Sequence, residues 1–128
     1  GNNGALGTGA LAMTDGTTLG ASATGVAIGN AIGITGTGTI DSSVAAFTIT
    51  GVISGDSLVK TGTGNLVLNG VNTFTGGSTL AGGTTTIGNA SALGTGPVTI
   101  GDGATLAAGV TGITFANVIT TLGNGTIN

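Results

Sequence analysis

Cysteine is absent from the 128 residues, so neither a disulfide framework nor a thiolate metal site can form. Histidine, glutamate, arginine, tyrosine and tryptophan are absent as well. The charged residues are Asp15, Asp41, Asp56, Lys60 and Asp102. Acid–base catalysis would rest on lone aspartates, and no second carboxylate stands near in sequence for a glycosidase pair. One lysine cannot neutralise a phosphate backbone, which excludes nucleic acid as a partner. Three phenylalanines are too few for the aromatic girdles of an outer-membrane barrel. No run approaches the ~18 apolar residues of a membrane helix. No basic stretch followed by an apolar one opens the chain, so no signal peptide is expected within it. Proline occurs once, at Pro97, and glycine keeps no strict three-residue period, which rules out collagen. Disorder needs low hydrophobicity with high net charge, whereas here 39% of residues are hydrophobic and the net charge is −3.

What remains is glycine, 29 residues, and threonine, 26, among scattered Ile, Val and Leu. Charged residues make up 4%, against roughly 25% in a typical soluble domain. Such a chain reads as a β-rich repetitive solid held by backbone hydrogen bonds and small aliphatic side chains. Self-similarity supports this reading. Residues 1–41 align without gaps on 88–128 at an offset of 87: "GNNGALGTGALAMTDGTTLGAS" on "GNASALGTGPVTIGDGATLAAG". Twenty of the 41 pairs are identical, where the biased composition alone would give roughly six. The chain is therefore expected to be a single solenoid segment, with a partial module at 1–41 and one 87-residue module at 42–128.

Short period-2 alternations supply the strands: "AFTITGVI", "NLVLNG", "PVTIGDG" and "GITFAN", each closed by Gly, Asn or Asp. No segment keeps a helical apolar spacing for three turns, and each glycine would cost a helix ~1 kcal/mol. Short strands, close turns and a long repeat select an all-β parallel β-helix. With about 20–25 residues per rung the module makes about four rungs, and the chain five or six. Inward small aliphatics stack from rung to rung, outward threonines suit strand backbones, and glycine or asparagine takes the corners. Shared parity and recurrence at 87 place Val26, Ile28, Ile49, Leu66, Leu68, Val98, Ile100, Ile113 and Phe115 inward.

At residues 55–86 the stretches "LVKTGTGNLVLNG" and "VNTFTGGSTL", followed by "GNASALGTGPVTI", resemble the autotransporter-associated β-strand repeat, also called the passenger-associated transport repeat. The preceding "FTITGVISG" and the following "GDGATL" are similar to spacers of those passengers. One departure is "LAGGTTTIGN", where threonines stand at places that family more often fills with Leu or Val. The resemblance implies a right-handed β-helical passenger, extracellular at the surface of a Gram-negative cell. It also implies an export signal and an outer-membrane translocator barrel, both in further sequence of the same polypeptide. The family's repeat is linked to passage and folding of long passengers and is not an active site.

Asp15 and Asp102 are repeat-equivalent, in "TDGTTL" and "GDGATL", and each is expected to cap nearby backbone N–H groups in a turn. Calcium needs six to eight oxygens, several of them carboxylates, and one Asp per module is too few. Asp56 and Lys60 are expected to pair on one exposed strand face, an interaction worth ~0–1 kcal/mol. Thr-x-Thr steps at Thr35/Thr37, Thr48/Thr50, Thr61/Thr63, Thr73/Thr75 and Thr84/Thr86 would share strand faces and offer one flat threonine ladder. No catalytic, metal-binding or cofactor-binding residue, no cofactor and no small-molecule substrate follows from these residues. The expected function is that of a structural stalk, not an enzyme. The alternatives are a fibre subunit that self-associates end to end through unpaired strand edges, and an ice- or surface-binding solenoid.

Overall fold

The computed structural model describes residues 4–44 and 46–128; the first three residues of the partial module and Ala45 of the complete one lie outside the described residues. Short strands with alternating burial wind into a parallel β-solenoid of about six turns, and no helix occurs among the described residues. Each strand pairs in parallel with a strand one rung before it, one rung after it, or both. Leu11 stacks on Ile32 and Phe47 on Leu66, 21 and 19 residues apart, so the rungs lie at or just below the short end of the expected length.

Every rung turns through three faces. The first face is laddered through Leu11–Met13 onto Ile32–Ile34 and on to Ile53. On the second, Thr39–Asp41 pair with Val59–Thr61, then Gly77–Leu80, Val98–Ile100 and Ile119–Thr121 follow rung by rung. The third stacks Val26–Ile28, Phe47–Ile49, Asn65–Leu68, Thr84–Ile87, Thr105–Ala108 and Thr126–Ile127. The two strands Ile32–Asp41 and Ile53–Thr61 run through the corner between the first two faces, where the register shifts between Ile34 and Thr37. Glycine is required at that corner: Gly55 has φ +102°, and a Cβ there would stand 1.9 Å from the Ile34 carbonyl oxygen.

The core is a stack of aliphatic columns. Ile28, Ile49, Leu66, Leu68, Val98 and Ile100 are buried with Val26, as expected. Fully burying such a side chain stabilises by ~1.5–3 kcal/mol. Ile113 and Phe115 depart from the expectation: they pack against the core but stay half-buried, because no described rung lies over them. In the fourth rung the first face is no longer a regular strand, but Thr73 and Thr75 still donate backbone N–H groups to the Ile53 and Gly55 carbonyls, and Asn72 adds to them. Its Oδ1 accepts the Ile53 N–H at 2.8 Å and its Nδ2 donates to the Ala92 carbonyl at 2.6 Å, tying three rungs together.

The 87-residue repeat is longer than four rungs. Four rungs carry Val26 through Phe47, Leu66 and Thr85 to Leu106. Four rungs likewise carry Leu19 through Ile40, Lys60 and Leu80 to Ile100. The sequence copies of Val26 and Leu19 are Ile113 and Leu106, each further along the chain than the rung partner. The excess is about a third of a rung, so a sequence copy lands one face further round. Leu11–Met13 lie on the first face and their copies Val98–Ile100 on the second. Thr18–Gly20 lie on the second and their copies Thr105–Ala107 on the third. Contacts between rungs survive this advance. Asn30 Nδ2 donates to the Gly7 and Gly9 carbonyls, and its copy Asn117 donates to those of Gly94 and Gly96.

Thr85 occupies a leucine's place in the third-face column, between Leu66 and Leu106, with its hydroxyl buried and without a partner. An unsatisfied buried hydroxyl costs ~1–3 kcal/mol, and valine keeps its shape. Thr85→Val is therefore expected to raise the urea midpoint by ~1–2 kcal/mol of stability at unchanged slope. A lower midpoint would place the hydroxyl on an unseen partner.

Candidate functional site

The charged residues do not converge. Among the described residues no three carboxylates meet in a metal-binding group. Asp15 and Asp102 do cap backbone N–H groups, but in the next rung rather than in their own turns. Asp15 Oδ1 accepts from Thr37 N at 2.9 Å, and Asp102 Oδ1 from Asn124 N at 2.7 Å. Asp56 reaches in the opposite direction along the axis, and its Oδ2 accepts from Gly36 N at 2.8 Å. Asp41 is held by its neighbour, because the Ser43 hydroxyl and N–H keep its carboxyl below the usual carboxylate range.

The expected Asp56–Lys60 pair does not form. Asp56 is exposed at the corner, whereas Lys60 is fully buried. The strand Ile53–Thr61 changes face at Gly55–Ser57, so the even spacing from 56 to 60 no longer keeps both side chains on one side. Lys60 occupies an inward column between Ile40 and Leu80. Its Nζ donates to the carbonyls of Gly62 at 2.8 Å, Gly64 at 2.9 Å and Gly82 at 2.7 Å. Burial pulls the ammonium down to about 8, with the Asp41 carboxylate opposing. Ser42 is buried at the same corner, and its hydroxyl donates to the carbonyls of Thr61 and Gly64.

The Thr-x-Thr steps do not assemble into one ladder. Thr73 and Thr75 lie along the first face, Thr37 and Thr61 on the second, and Thr48, Thr84 and Thr86 on the third. A different set lines up. Thr18, Thr39, Thr79, Thr99 and Thr120 form one outward column on the second face, interrupted once by Val59. Neighbours in this column stand a full rung apart in sequence, so a search for threonines two apart passes it by. The rung length is the signal that finds it.

Among the described residues this geometry pairs backbone with backbone and holds one ammonium. None of the protein families, characterised proteins or solved structures compared with the chain matches it.

Lys60 makes stability depend on pH in a particular direction. Its pKa is about 8 in the fold and 10.5 in the unfolded chain. Between these values the unfolded chain binds more protons, so stability rises as pH rises through the window. Cysteine and tyrosine, which would also titrate there, are absent. The urea midpoint is expected to climb between pH 8 and 10.5, by no more than ~3 kcal/mol, and to stay flat by comparison in Lys60→Met. A wild-type profile parallel to that of the variant would refute the assignment.

Proposed function

We propose that this chain is a stalk segment of a surface-displayed bacterial passenger. In this reading it supports export and folding, projects an adhesive or other tip, and works with an outer-membrane translocator barrel elsewhere in the same polypeptide. The observation that carries the reading is the closed economy of the solenoid. Backbone pairing runs along the axis on three faces, the interior is filled, and nearly every charged group is spent on a backbone group of its own or a neighbouring rung. The motif at 55–86 supports it further, because it spans about one and a half interior rungs on which a following rung can be templated.

Surface exposure of the full-length parent, read by protease accessibility on intact cells, tests this. Replacing Leu66 and Leu68 together by Asp puts two carboxylates into fully buried positions and is expected to stall display, since unpaired buried charge cannot be accommodated. Asp56→Ser is expected to leave display nearly unchanged. Display that tolerates the aspartates and fails with Asp56→Ser would overturn the stalk reading.

The threonine column favours a second reading, adsorption to ice or another ordered surface. Successive threonines on neighbouring rungs repeat at ~4.7–4.9 Å, a lattice-like spacing. Val59 breaks the column, and the copies of Thr18 and Thr39, Thr105 and Thr126, lie on the third face. The column is thus split into a pair and a run of three and is refilled in the second module by positions that are not copies of the first, which favours the stalk. Thermal hysteresis that disappears on Thr79→Tyr with Thr99→Tyr would support adsorption; its absence in the parent removes that reading.

A further inference from the structure

We propose that the corner between the second and third faces is a binding site for a primary ammonium group, which Lys60 fills from within. A primary ammonium carries three N–H donors and no acceptor. Three backbone carbonyls converge on it here, one donor each: Gly62 and Gly64 from its own rung and Gly82 from the rung above. Each of the three oxygens takes one N–H of the ammonium, and no donor is left over. The carboxylate of Asp41, the other charged group at this corner, already accepts from Ser43 and Thr61. Carbonyl dipoles, without a counter-ion in the cage, offset part of the cost of burying the charge, the device by which carbonyl rings replace an ion's hydration shell.

The surrounding sequence is built for this. The stretch "KTGTG" supplies the cation and, two and four residues on, the first two carbonyls; "AGG" in the next rung supplies the third and closes over them. Gly83 has φ +60°, and a Cβ there would stand 2.6 Å from the oxygens of both Gly62 and Gly64. Only a glycine lets the upper rung come down onto the cage. In the adjoining rungs the Lys60 position holds Ile40 and Leu80, so this column has one cage. The ligand class follows from the donors: a small cation with three N–H groups on an unbranched stem. A quaternary ammonium has no N–H to offer.

The proposal stands apart from the stalk reading and is tested by chemical rescue. Lys60→Ala removes three methylenes and the ammonium, which together are n-propylammonium. Urea unfolding of the full chain at pH 7 and fixed ionic strength is compared in n-propylammonium, sodium and tetramethylammonium chlorides. The midpoint lost in Lys60→Ala is expected to return with n-propylammonium alone, and saturably, as mass action requires of a site. The wild type, already filled, should not respond. Lys60→Met fills the stem's space without donors. It is expected to lose roughly tenfold or more in its folding constant, because the Gly62 and Gly82 carbonyls lose the ammonium while Gly64 keeps Ser42 and Thr84, and to ignore n-propylammonium. Equal responses of Lys60→Ala to all three salts, a chain that stays unfolded in each of them, or a Lys60→Met variant as stable as the wild type would each overturn the site.

Discussion

Everything in this molecule depends on one constraint: the strand backbone of each rung finds its ladder partners in the rungs before and after it. A rung cannot shift sideways without losing its ladder, and a slip of one residue would turn its whole inner row outward. The inward positions therefore form columns, such as Leu19, Ile40, Lys60, Leu80 and Ile100, in which each residue must tolerate the ones above and below. Side chains of similar size satisfy this cheaply. That explains why a fold of about six rungs can be written with so few residue types, and why charge contributes so little to specifying it. The rungs are not all of one length, as the pairs Leu11 with Ile32 and Phe47 with Leu66 show. Corners take up the difference, where glycine and a register shift absorb it.

Corners are also where polar groups enter the interior. The carbonyls there point away from the ladders, and a buried acceptor without a donor is costly. Asn30, Asn72 and Asn117 answer some of them with side-chain amides, Ser42 with a hydroxyl and Lys60 with an ammonium. The fourth rung is less complete. Ser78 and Thr85, on its second and third faces, each bury a hydroxyl with no partner. The same rung receives the Lys60 ammonium through Gly82 and the Asn72 bridge, so interactions gained at its corners offset what its inner faces lose.

The strands and most of the core were legible because both follow from period-2 alternation, which needs only neighbouring residues. Val26, Ile28, Leu66 and Leu68 announce their direction locally, and the structure buries them. Lys60 could not be read this way. Its parity relative to Asp56 holds only along an unbroken strand, and the bend at Gly55 is a property of three-dimensional stacking. Charge pointed outward; three carbonyls brought in by glycines that looked like ordinary turn residues pointed it inward. The threonine column was hidden for a related reason. Its members are neighbours only once the rung length is known, and the 87-residue repeat suggested a whole number of rungs where there is a fraction over.

That fraction bears on function more than any single side chain. If the module were a whole number of rungs, equivalent residues would stack in straight rows, and a binding face could lengthen with every repeat. Because each module advances one face, an outward feature such as Thr18 on the second face returns as Thr105 on the third. Interactions between rungs are kept through the advance, as Asp15 and Asp102 or Asn30 and Asn117 show, so the cost of turning is small. In an array of such modules an outward feature would wind round the shaft and present itself equally to all sides. A surface binder loses by that arrangement, because its contacts are divided among directions. A stalk asks for no such concentration, since its ladders and core run from rung to rung whichever way the outward residues face.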